Sequence, residues 1–276
     1  MPVIDHTARV FSEAARVQQR LWSSDSEGWA LFSEPHTRPL FEAVLAAAGL
    51  APGDRLLDIA CGTGLLLRIA ADLGITVSGL DISPSMLAIA QRHVPAGDFH
   101  LSDLQKLPFA DASFQAATAV NAFQFAVDPV AAIAEAARVL VPGGRLVCGM
   151  FAEPELSEST AVHLAMSALS PAARDRDHRP YALAGRGQLD DALSDSGLVL
   201  VGDGEVECVW AYQGIDDAIR GLIGSAGGVR AVEDAGRPAV VETLTAALGP
   251  FTDARTGRIA MRNQFRWVAA QKDANQ

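Results

Sequence analysis

The sequence predicts an α/β fold in which helices cover both faces of a doubly wound, mostly parallel sheet. Between residues 55 and 151, short apolar runs typical of buried strands alternate with amphipathic helical patterns. Turns rich in glycine and proline separate these runs, as expected between consecutive elements of such a sheet. Two later strand patterns, over 198–210 and 257–271, lack a helical crossover of the same kind and therefore predict an antiparallel edge strand.

Two helices are predicted before the alternating region. Apolar residues recur at spacings of three and four over residues 6–22, which predicts the first helix. The second is predicted over 35–48, because Pro35 suits a first helical turn and Gly49 suits a helix end. The stretch SSDSEG between them is predicted as a break.

Strands and helices then follow one another in turn. The predicted strands are 56–60, 76–80, 99–101, 114–120 and 145–150, the last after a turn at VPGG. The predicted helices are 65–73, 84–93 and 129–140, and Ser83 before Pro84 suits the start of the second. Ligands on such sheets bind beyond the carboxyl ends of the strands. We therefore expect functional residues in the segments that directly follow strands.

After residue 151 the alternation stops. Residues 153–187 are rich in Pro, Ala, Arg and Asp and are predicted as an insertion with a helix near 158–169. A helix near 187–196 precedes the first late strand, and helical pieces fill about 215–248 between the two late strands. This part of the chain lies outside the parallel core and is available to cover the strand ends.

The composition restricts the partners that are expected. The chain has 276 residues with a formal net charge of −11, which opposes binding to nucleic acid and to anionic membrane surfaces. Its three cysteines are expected as reduced thiols in a cytoplasmic protein. The first residues do not resemble a signal peptide, and no apolar run reaches the roughly 18 residues of a membrane span. The histidines show no metal-ligand spacing, so no metal is expected.

The stretch LLDIACGTG, residues 56–64, is the most informative motif. A charged residue, Asp58, interrupts an apolar strand, and Gly62 and Gly64 follow it within six positions. A dinucleotide fingerprint would need a third glycine where Leu67 stands, and a phosphate-binding P-loop would need Gly-Lys-Ser/Thr. Both motifs are therefore excluded, and an acid followed by Gly-Thr-Gly remains.

Two more acids follow strands. Asp81 ends the second strand and could accept hydrogen bonds from ribose hydroxyls, and Asp103 after the third strand could accept from an adenine amino group. Asp58 could supply negative charge to an ammonium or sulfonium group. Three acids without a phosphate-binding lysine favour a cationic nucleoside over a pyrophosphate.

With these motifs, the sequence resembles the class I S-adenosylmethionine-dependent methyltransferases, which have a seven-stranded, Rossmann-like fold. The resemblance is specific over residues 50–151 and only loose elsewhere. It rests on LLDIACGTG, VSGLDISPSML, SDLQKLPFADASFQ, AVNAFQFAVDP and EAARVLVPGGRL. It implies a single domain over 1–276, with a helical lid (1–49), a cofactor-binding core (50–151) and a substrate-side region (152–276).

The resemblance also implies a role for each matching position. The methionine part of S-adenosylmethionine is expected along Ala60, Cys61, Gly62 and Gly64, with Asp58 nearby and the backbone around Asn121 at its ammonium. Gln124 is a further candidate for the cofactor site, and both Asn121 and Gln124 could instead be ordinary polar groups at a strand end. The ribose is expected at Asp81, and the adenine against Ile82, Met86, Asp103 and Leu104. An aromatic residue of the lid is expected over the cofactor, and the candidates are Trp22 and Trp29.

Each of these residues also fits a structural role. Asp58 could cap the turn, Asp81 could favour the start of the following helix, and Asp103 could be an ordinary loop acid. The tryptophans could be packing residues, and Cys61 is expected as a small residue in a tight turn rather than as a nucleophile. We expect Asp81 at the exposed end of its strand.

The class of molecule that accepts the methyl group is inferred mainly from a motif that the sequence lacks. The stretch NAFQ after the fourth strand is unlike the Asn/Asp-Pro-Pro-aromatic motif of nucleic-acid amino methyltransferases. We expect a small, largely apolar metabolite, such as a hydroxylated aromatic, quinone-like or polyketide-like molecule, with a homodimer left open. No catalytic residue can be assigned, and the candidates for a general base are His36, His163, His178 and Tyr181. The walls of the acceptor pocket are expected from Leu156, Val162, Leu164, Met166, Leu169, Trp210, Tyr212, Ile219, Leu222 and Ile223.

Two alternatives stay open. An NAD-dependent oxidoreductase is disfavoured by Leu67 at the third glycine position. A cofactor-binding member of the fold with a non-methylating role would carry the same cofactor motifs, so the sequence does not separate it from a methyltransferase.

Overall fold

A seven-stranded sheet forms the centre of the computed structural model, which describes residues 11–170, 183–185 and 187–274. The strands are β1 (Arg55–Ile59), β2 (Thr76–Asp81), β3 (Asp98–Leu101), β4 (Phe114–Val120), β5 (Leu140–Phe151), β6 (Leu198–Tyr212) and β7 (Ile259–Lys272). Their order across the sheet is β3-β2-β1-β4-β5-β7-β6. The predicted α/β fold class is confirmed.

Helices stand before, between and after the strands. They are α1 (Glu13–Trp22), α2 (Ser26–Phe32), α3 (Arg38–Ala48), α4 (Leu65–Asp72), α5 (Pro84–His93), α6 (Pro129–Val139), α7 (Ser159–Ala168), α8 (Gln188–Asp195), α9 (Ile215–Ile223), α10 (Ala226–Ala235) and α11 (Arg237–Leu248). Helices α3 to α5 cover one face of the sheet, and α6 and α8 cover the other. None of the described helices is long and apolar enough to cross a membrane.

The first five strands are parallel, and the order reverses at β1. From β1 the chain builds outward through β2 and β3, then returns to place β4 on the other side of β1. The carboxyl ends of β1 and β4 therefore border the crevice in which ligands bind on such sheets. Asp58 of β1 pairs in register with Thr118 of β4, so the acid of the glycine motif lies at this crevice.

The last two strands extend the sheet antiparallel to its core. β7 lies between β5 and β6 and is antiparallel to both. The final residue of β5, Phe151, pairs with Phe265, whereas β6 continues along β7 to the pair Tyr212–Ile259. Residues 259–264 of β7 therefore extend beyond the carboxyl end of β5, and α7, α9, α10 and α11 pack on this extension in a separate apolar cluster.

Local chemistry corrects three predicted elements. The break SSDSEG contains the start of α2, because the side chain of Asp25 accepts from the Gly28 N–H at 3.0 Å and caps a new helix. The helix predicted over 35–48 begins as a short 3₁₀ turn, Glu34–Thr37, before α3. The turn predicted at VPGG is part of β5, where the register with β4 shifts and Gly143 adopts a φ of 76°.

Candidate active site

The turn after β1 has an unusual backbone. Ala60, Gly62 and Gly64 have φ values of 61°, 53° and 80°, all in the left-handed region that disfavours side chains. The turn is held by Asp81 at the end of β2, whose carboxylate accepts from the Gly62 N–H at 2.9 Å and the Ser83 N–H at 2.8 Å. One carboxylate thus ties the glycine turn to the start of α5.

Three carboxyl groups are buried around this turn. Asp58, Glu34 and Asp81 are only 4%, 5% and 7% exposed. Asp58 accepts from the hydroxyl of Thr118 at 2.7 Å, across the β1–β4 pair. Glu34, from the segment before α3, accepts from the Thr63 N–H at 3.1 Å and also from the Thr63 hydroxyl. The site is therefore richer in buried carboxyl groups than the sequence indicated.

Burial favours the protonated form of these acids. It raises the pKa of Asp58 to about 8 and that of Glu34 to about 7, and repulsion from neighbouring acids adds to both effects. Burial also raises the pKa of Asp81, although backbone hydrogen bonds oppose the rise. A positively charged ligand beside them would favour the ionised carboxylates, since opposite charge lowers a carboxyl pKa.

One continuous cavity lies over the carboxyl ends of the strands. It is lined by thirteen of the fourteen residues predicted to bind the cofactor, namely Trp22, Trp29, Asp58, Ala60, Cys61, Gly62, Asp81, Ile82, Met86, Asp103, Leu104, Asn121 and Gln124. The topology therefore brings these dispersed positions together, and their individual binding roles stay predictions.

Gly64 does not line the cavity. A Cβ at this position would lie 2.9 Å from the Cβ of Ala90 in α5, so the glycine allows α4 and α5 to approach closely. Its position at the cofactor stays a prediction, and this close packing is a second reason for a glycine here.

Asp81 also differs from the expectation of an exposed strand end. Its side chain is buried, and both oxygens are already bonded to backbone N–H groups. A carboxylate oxygen has a second lone pair, so each can still accept from a ligand hydroxyl.

The lid packs over the cavity through aromatic and hydroxyl contacts. The rings of Trp22 and Trp29 lie edge to face with their centroids 5.1 Å apart. The ring of Trp22 also lies edge to face with that of Phe125, at a centroid distance of 5.9 Å. The Ser23 hydroxyl donates to that of Ser83 at 2.9 Å, which joins the lid to the start of α5. The lid therefore contacts the segment that follows β2.

Aromatic rings line the other part of the cavity. Phe151, Trp210, His163, Tyr212 and Phe265 all belong to its wall. Phe151 lies 4.3 Å from Phe265 and 5.9 Å from Trp210, and His163 lies 5.8 Å from Trp210, all measured between ring centroids. These rings come from the ends of β5 and β6, from the middle of β7 and from α7, outside the cofactor motifs.

The candidates for a general base are placed differently. His163 lines the cavity, whereas His36 lies behind its wall, 4.7 Å from Tyr212. His36 Nε2 donates to the Ala211 carbonyl at 3.0 Å, and burial lowers the pKa of the ring. His178 and Tyr181 lie outside the described residues.

Glu34 is the site residue that sequence reasoning missed. It lies between Ser33 and Pro35, in a segment predicted only as the start of a helix, with no strand before it. Its placement depends on a contact with Thr63, 29 positions away, for which the sequence carries no local signal.

The acidic and other acceptor groups that line the cavity fit a cationic adenosyl nucleoside. Four acids line the cavity, namely Glu34, Asp58, Asp81 and Asp103, and none of the described lysines or arginines does. Gln124 is 8% exposed, and its Oε1 has no hydrogen-bond partner among the described residues, so it can accept from a ligand. A pyrophosphate would instead need donors or positive charge at this place.

Comparison with known proteins agrees with this geometry. Residues 57–148 match the family described as "Methyltransferase domain". This part of the chain is similar to a methyltransferase domain. The match covers β1 to most of β5, including the glycine turn and the strand ends that form the cavity. The predicted resemblance to the S-adenosylmethionine-dependent methyltransferases is confirmed over this part of the chain, and the activity of the whole protein is proposed below.

A curated relative of the methyltransferase domain is the demethylmenaquinone methyltransferase of Renibacterium salmoninarum. It is 39% identical over 133 residues, which cover 48% of this chain and 56% of the relative. The chain spans about half the length of the curated relatives it matches.

Solved structures share the fold over most of the chain. The geranyl diphosphate C-methyltransferase of Streptomyces coelicolor, in complex with S-adenosylhomocysteine, has a TM-score of 0.57 at 16% identity and covers 96% of this chain and 100% of its own. The [4+2]-cyclase SpnF has a TM-score of 0.54 at 25% identity and covers 85% and 80%. The first likeness shows the fold alone.

The buried acids make stability pH-dependent. The unfolded chain ionises Asp58 near its ordinary pKa of 3.8, whereas the folded chain keeps the proton up to about pH 8. Stability is therefore full below the ordinary pKa and is lost as pH rises through the folded value. We expect the free energy of unfolding of the ligand-free protein to fall by at least about 2 kcal/mol between about pH 5 and pH 8.5.

Denaturant unfolding at several pH values measures this dependence. Asp58→Asn removes the titration but keeps an acceptor for Thr118, so the fall should become smaller. Asp72→Asn, at an exposed position at the end of α4, is the matched control and should leave the fall unchanged. An Asp58→Asn curve that runs parallel to the wild type would contradict the prediction.

Asp81→Ala should weaken both the fold and nucleoside binding. It leaves the N–H groups of Gly62 and Ser83 unpaired, which should cost on the order of 2–6 kcal/mol of stability at about 1–3 each. Denaturation and calorimetry with S-adenosylhomocysteine measure the two effects. Asp103→Ala, in a partly exposed loop, should lower affinity with little loss of stability. Unchanged affinity in the Asp81 variant would leave that residue with a structural role only.

Cofactor binding should protect the lid from amide exchange. Residues of α1 and α2 line the cavity, so a ligand beneath the lid adds contacts to those that already hold it. We expect slower exchange over residues 15–35 with S-adenosylhomocysteine, and unchanged exchange in α11, which contributes no residue to the cavity wall. Equal exchange in α1 and α2 with and without ligand would make Trp22 and Trp29 packing residues.

Proposed function

We propose that the protein is a methyltransferase that transfers the methyl group of S-adenosylmethionine to a hydroxyl oxygen of a small, largely apolar metabolite. The acceptor class is a hydroxylated aromatic, quinone-like or polyketide-like molecule. The observation that carries the proposal is the continuity of the cavity. The residues predicted for the nucleoside and the aromatic residues of β5, β6 and β7 line the same space.

The wall of the acceptor part favours a flat ring. Phe151, Phe265 and Trp210 present aromatic surfaces to one another and to the cavity, and offset or edge-to-face contacts with a further ring are favourable. The Nε1–H of Trp210 is buried without a hydrogen-bond partner among the described residues, so it could donate to a single polar group of the acceptor. An apolar body with one reactive oxygen matches this wall.

The protein's contribution is positioning. When bound, S-adenosylmethionine supplies a methyl group that is already electrophilic because it is attached to a positively charged sulfur. The chain has to hold the acceptor oxygen in line with that group and exclude water, and such orientation is worth up to about 7–11 kcal/mol in favourable systems. The strand ends hold one reactant, and the walls from α7 and α9 enclose the other.

A hydroxyl acceptor also has to lose a proton. His163, on α7, is the histidine candidate that lines the cavity, so we propose it as the group that accepts the proton. His36 is a weaker candidate, because the aromatic wall separates it from the cavity and its Nε2 proton is bonded to a backbone carbonyl.

The expected walls of the acceptor pocket are partly corrected. Of the ten predicted residues, Trp210, Tyr212 and Leu222 line the cavity. Val162, Met166, Ile219 and Ile223 are buried in the apolar cluster behind it, and Leu169 packs against that cluster. Leu156 and Leu164 are exposed.

The relative from Renibacterium supports the quinone-like option, since its name describes a methyltransferase for a demethylmenaquinone. The net charge of −11 and the acids in the cavity oppose a nucleic-acid substrate. The buried thiols Cys61, Cys148 and Cys208 carry no disulfide and support a cytoplasmic location.

A non-methylating role is the second candidate. The fold likeness to the [4+2]-cyclase SpnF favours it, because that protein's name describes a ring-forming reaction. An NAD-dependent oxidoreductase is disfavoured, since Leu67 is fully buried in the core where the fingerprint would need glycine.

A methyl-transfer screen tests the function. Purified protein with S-adenosylmethionine and single hydroquinones, catechols or phenolic polyketides should form S-adenosylhomocysteine and a methylated product, both detected by mass spectrometry. Leu222→Ala enlarges the cavity wall and should shift the acceptor preference by about 5–100-fold, since a methylene-sized misfit costs about 1–3 kcal/mol.

Met166→Ala is the matched control, because it removes apolar volume from the cluster behind the wall without changing the lining. It should lower stability and leave acceptor preference unchanged. Nucleoside binding without methyl transfer to any acceptor would favour the non-methylating role. A shift in preference in the Met166 variant alone would place the pocket elsewhere.

A further inference from the structure

Glu34 is a buried acid of the lid to which the predicted cofactor contacts assign no role. The other acids of the described lid, Glu13, Asp25, Glu27 and Glu42, are exposed. Glu34 alone among them is turned inward and lines the cavity. We propose that Glu34 binds the ammonium group of the methionine part of S-adenosylmethionine, so that the lid contributes a side chain that binds the cofactor. This inference rests on the proposed function, because it requires that cofactor.

The position of Glu34 fits this part of the ligand. Its carboxylate bonds to Thr63 in the glycine turn, and its Oε1 lies 3.0 Å from where a Cβ of Gly62 would stand. Gly62 is the residue whose N–H is held by Asp81, the acid predicted for the ribose. Asp81 and Glu34 therefore contact adjacent residues of one turn. Asp81 is predicted to bind the ribose, whereas Glu34, from the lid, has no predicted contact with the ribose.

The chemistry of the carboxylate selects the ammonium. Both described partners of Glu34 are donors of Thr63, which leaves at least one lone pair on each oxygen. A sulfonium has no N–H or O–H to donate, whereas an ammonium has three donors. A charge-assisted hydrogen bond from an ammonium is therefore the contact that best satisfies the remaining acceptor capacity.

The surroundings of Glu34 supply little positive charge. Arg68 attracts it only through space, and Asp58 and Asp81 repel it. Burial is the main reason that the pKa of Glu34 is raised to about 7. Burying an ionised carboxylate costs free energy unless a cation pairs with it. An ammonium from the ligand would therefore offset the desolvation cost of burying the Glu34 carboxylate beneath the lid.

Comparing three nucleosides shows which part of the ligand Glu34 contacts. S-adenosylhomocysteine has the ammonium and the carboxylate, its decarboxylated form keeps only the ammonium, and 5′-methylthioadenosine has neither. Glu34→Gln keeps the shape and an acceptor for Thr63 but removes the charge. By calorimetry, this variant should bind the first two nucleosides at least about tenfold more weakly and the third within about twofold of the wild type.

Glu27→Gln is the matched control. Glu27 is an exposed acid of α2 that pairs with Arg92 at 2.6 Å and does not line the cavity, so all three affinities should stay unchanged. Thermal unfolding of both variants checks that they fold. Lid exchange over residues 15–35 gives a second measurement, and in the Glu34 variant S-adenosylhomocysteine should protect the lid less than it does in the wild type.

The possible results are distinct. Equal weakening of all three nucleosides would overturn the inference, because Glu34 would then only support the turn. Unchanged affinities would overturn it as well. Failure of the wild type to bind any of the three would instead contradict the proposed function, since the cofactor itself would be wrong.

Discussion

Three carboxyl groups, from Glu34, Asp58 and Asp81, share one tight turn whose backbone is left-handed at several positions. Each is brought there by a different element, namely the lid, β1 and β2. Their mutual repulsion and their burial oppose this arrangement, and only a few hydroxyl and backbone donors compensate. The elements around the turn must therefore hold it firmly, which Asp81 does by bonding the turn to the start of α5.

The two parts of the cavity are built by different means. The parallel core places polar groups at strand ends, where the crossing of the chain at β1 opens a crevice. The aromatic part depends on β6 and β7 being longer than β5, because their extension carries Trp210, Tyr212 and the helices that pack on them. Changes in the extension can therefore alter the acceptor wall while the turn and its acids keep their positions.

Much of this arrangement could be predicted because its signals are local. Asp58 and Asp81 each stand at a strand end beside glycine or a helix start, and that pattern alone marks them. Glu34 could not be found in this way, since only the folding of the lid onto Thr63 gives it a role. The packing of Gly64 against Ala90 could not be predicted either, because a glycine needed for ligand approach and one needed for helix packing look alike in a sequence. The walls of the acceptor pocket were overpredicted, because apolar residues of α7 and α9 face either the cavity or the cluster behind it.

The order of the strands also bears on how the protein is made. β6 pairs only with β7 among the described strands, and β7 follows it by some 45 residues of helix and loop. During synthesis on the ribosome, β6 emerges before its neighbour exists, and its exposed apolar residues Val199, Leu200 and Val201 are then part of an unpaired edge. The parallel strands β1 to β5 can pair earlier, whereas the acceptor side cannot assemble until residues 259–272 leave the exit tunnel. A nascent chain would thus complete the nucleoside side of the cavity first. Loss of the last strand would leave a protein without the acceptor side of the cavity and with β6 as an unpaired, aggregation-prone edge strand.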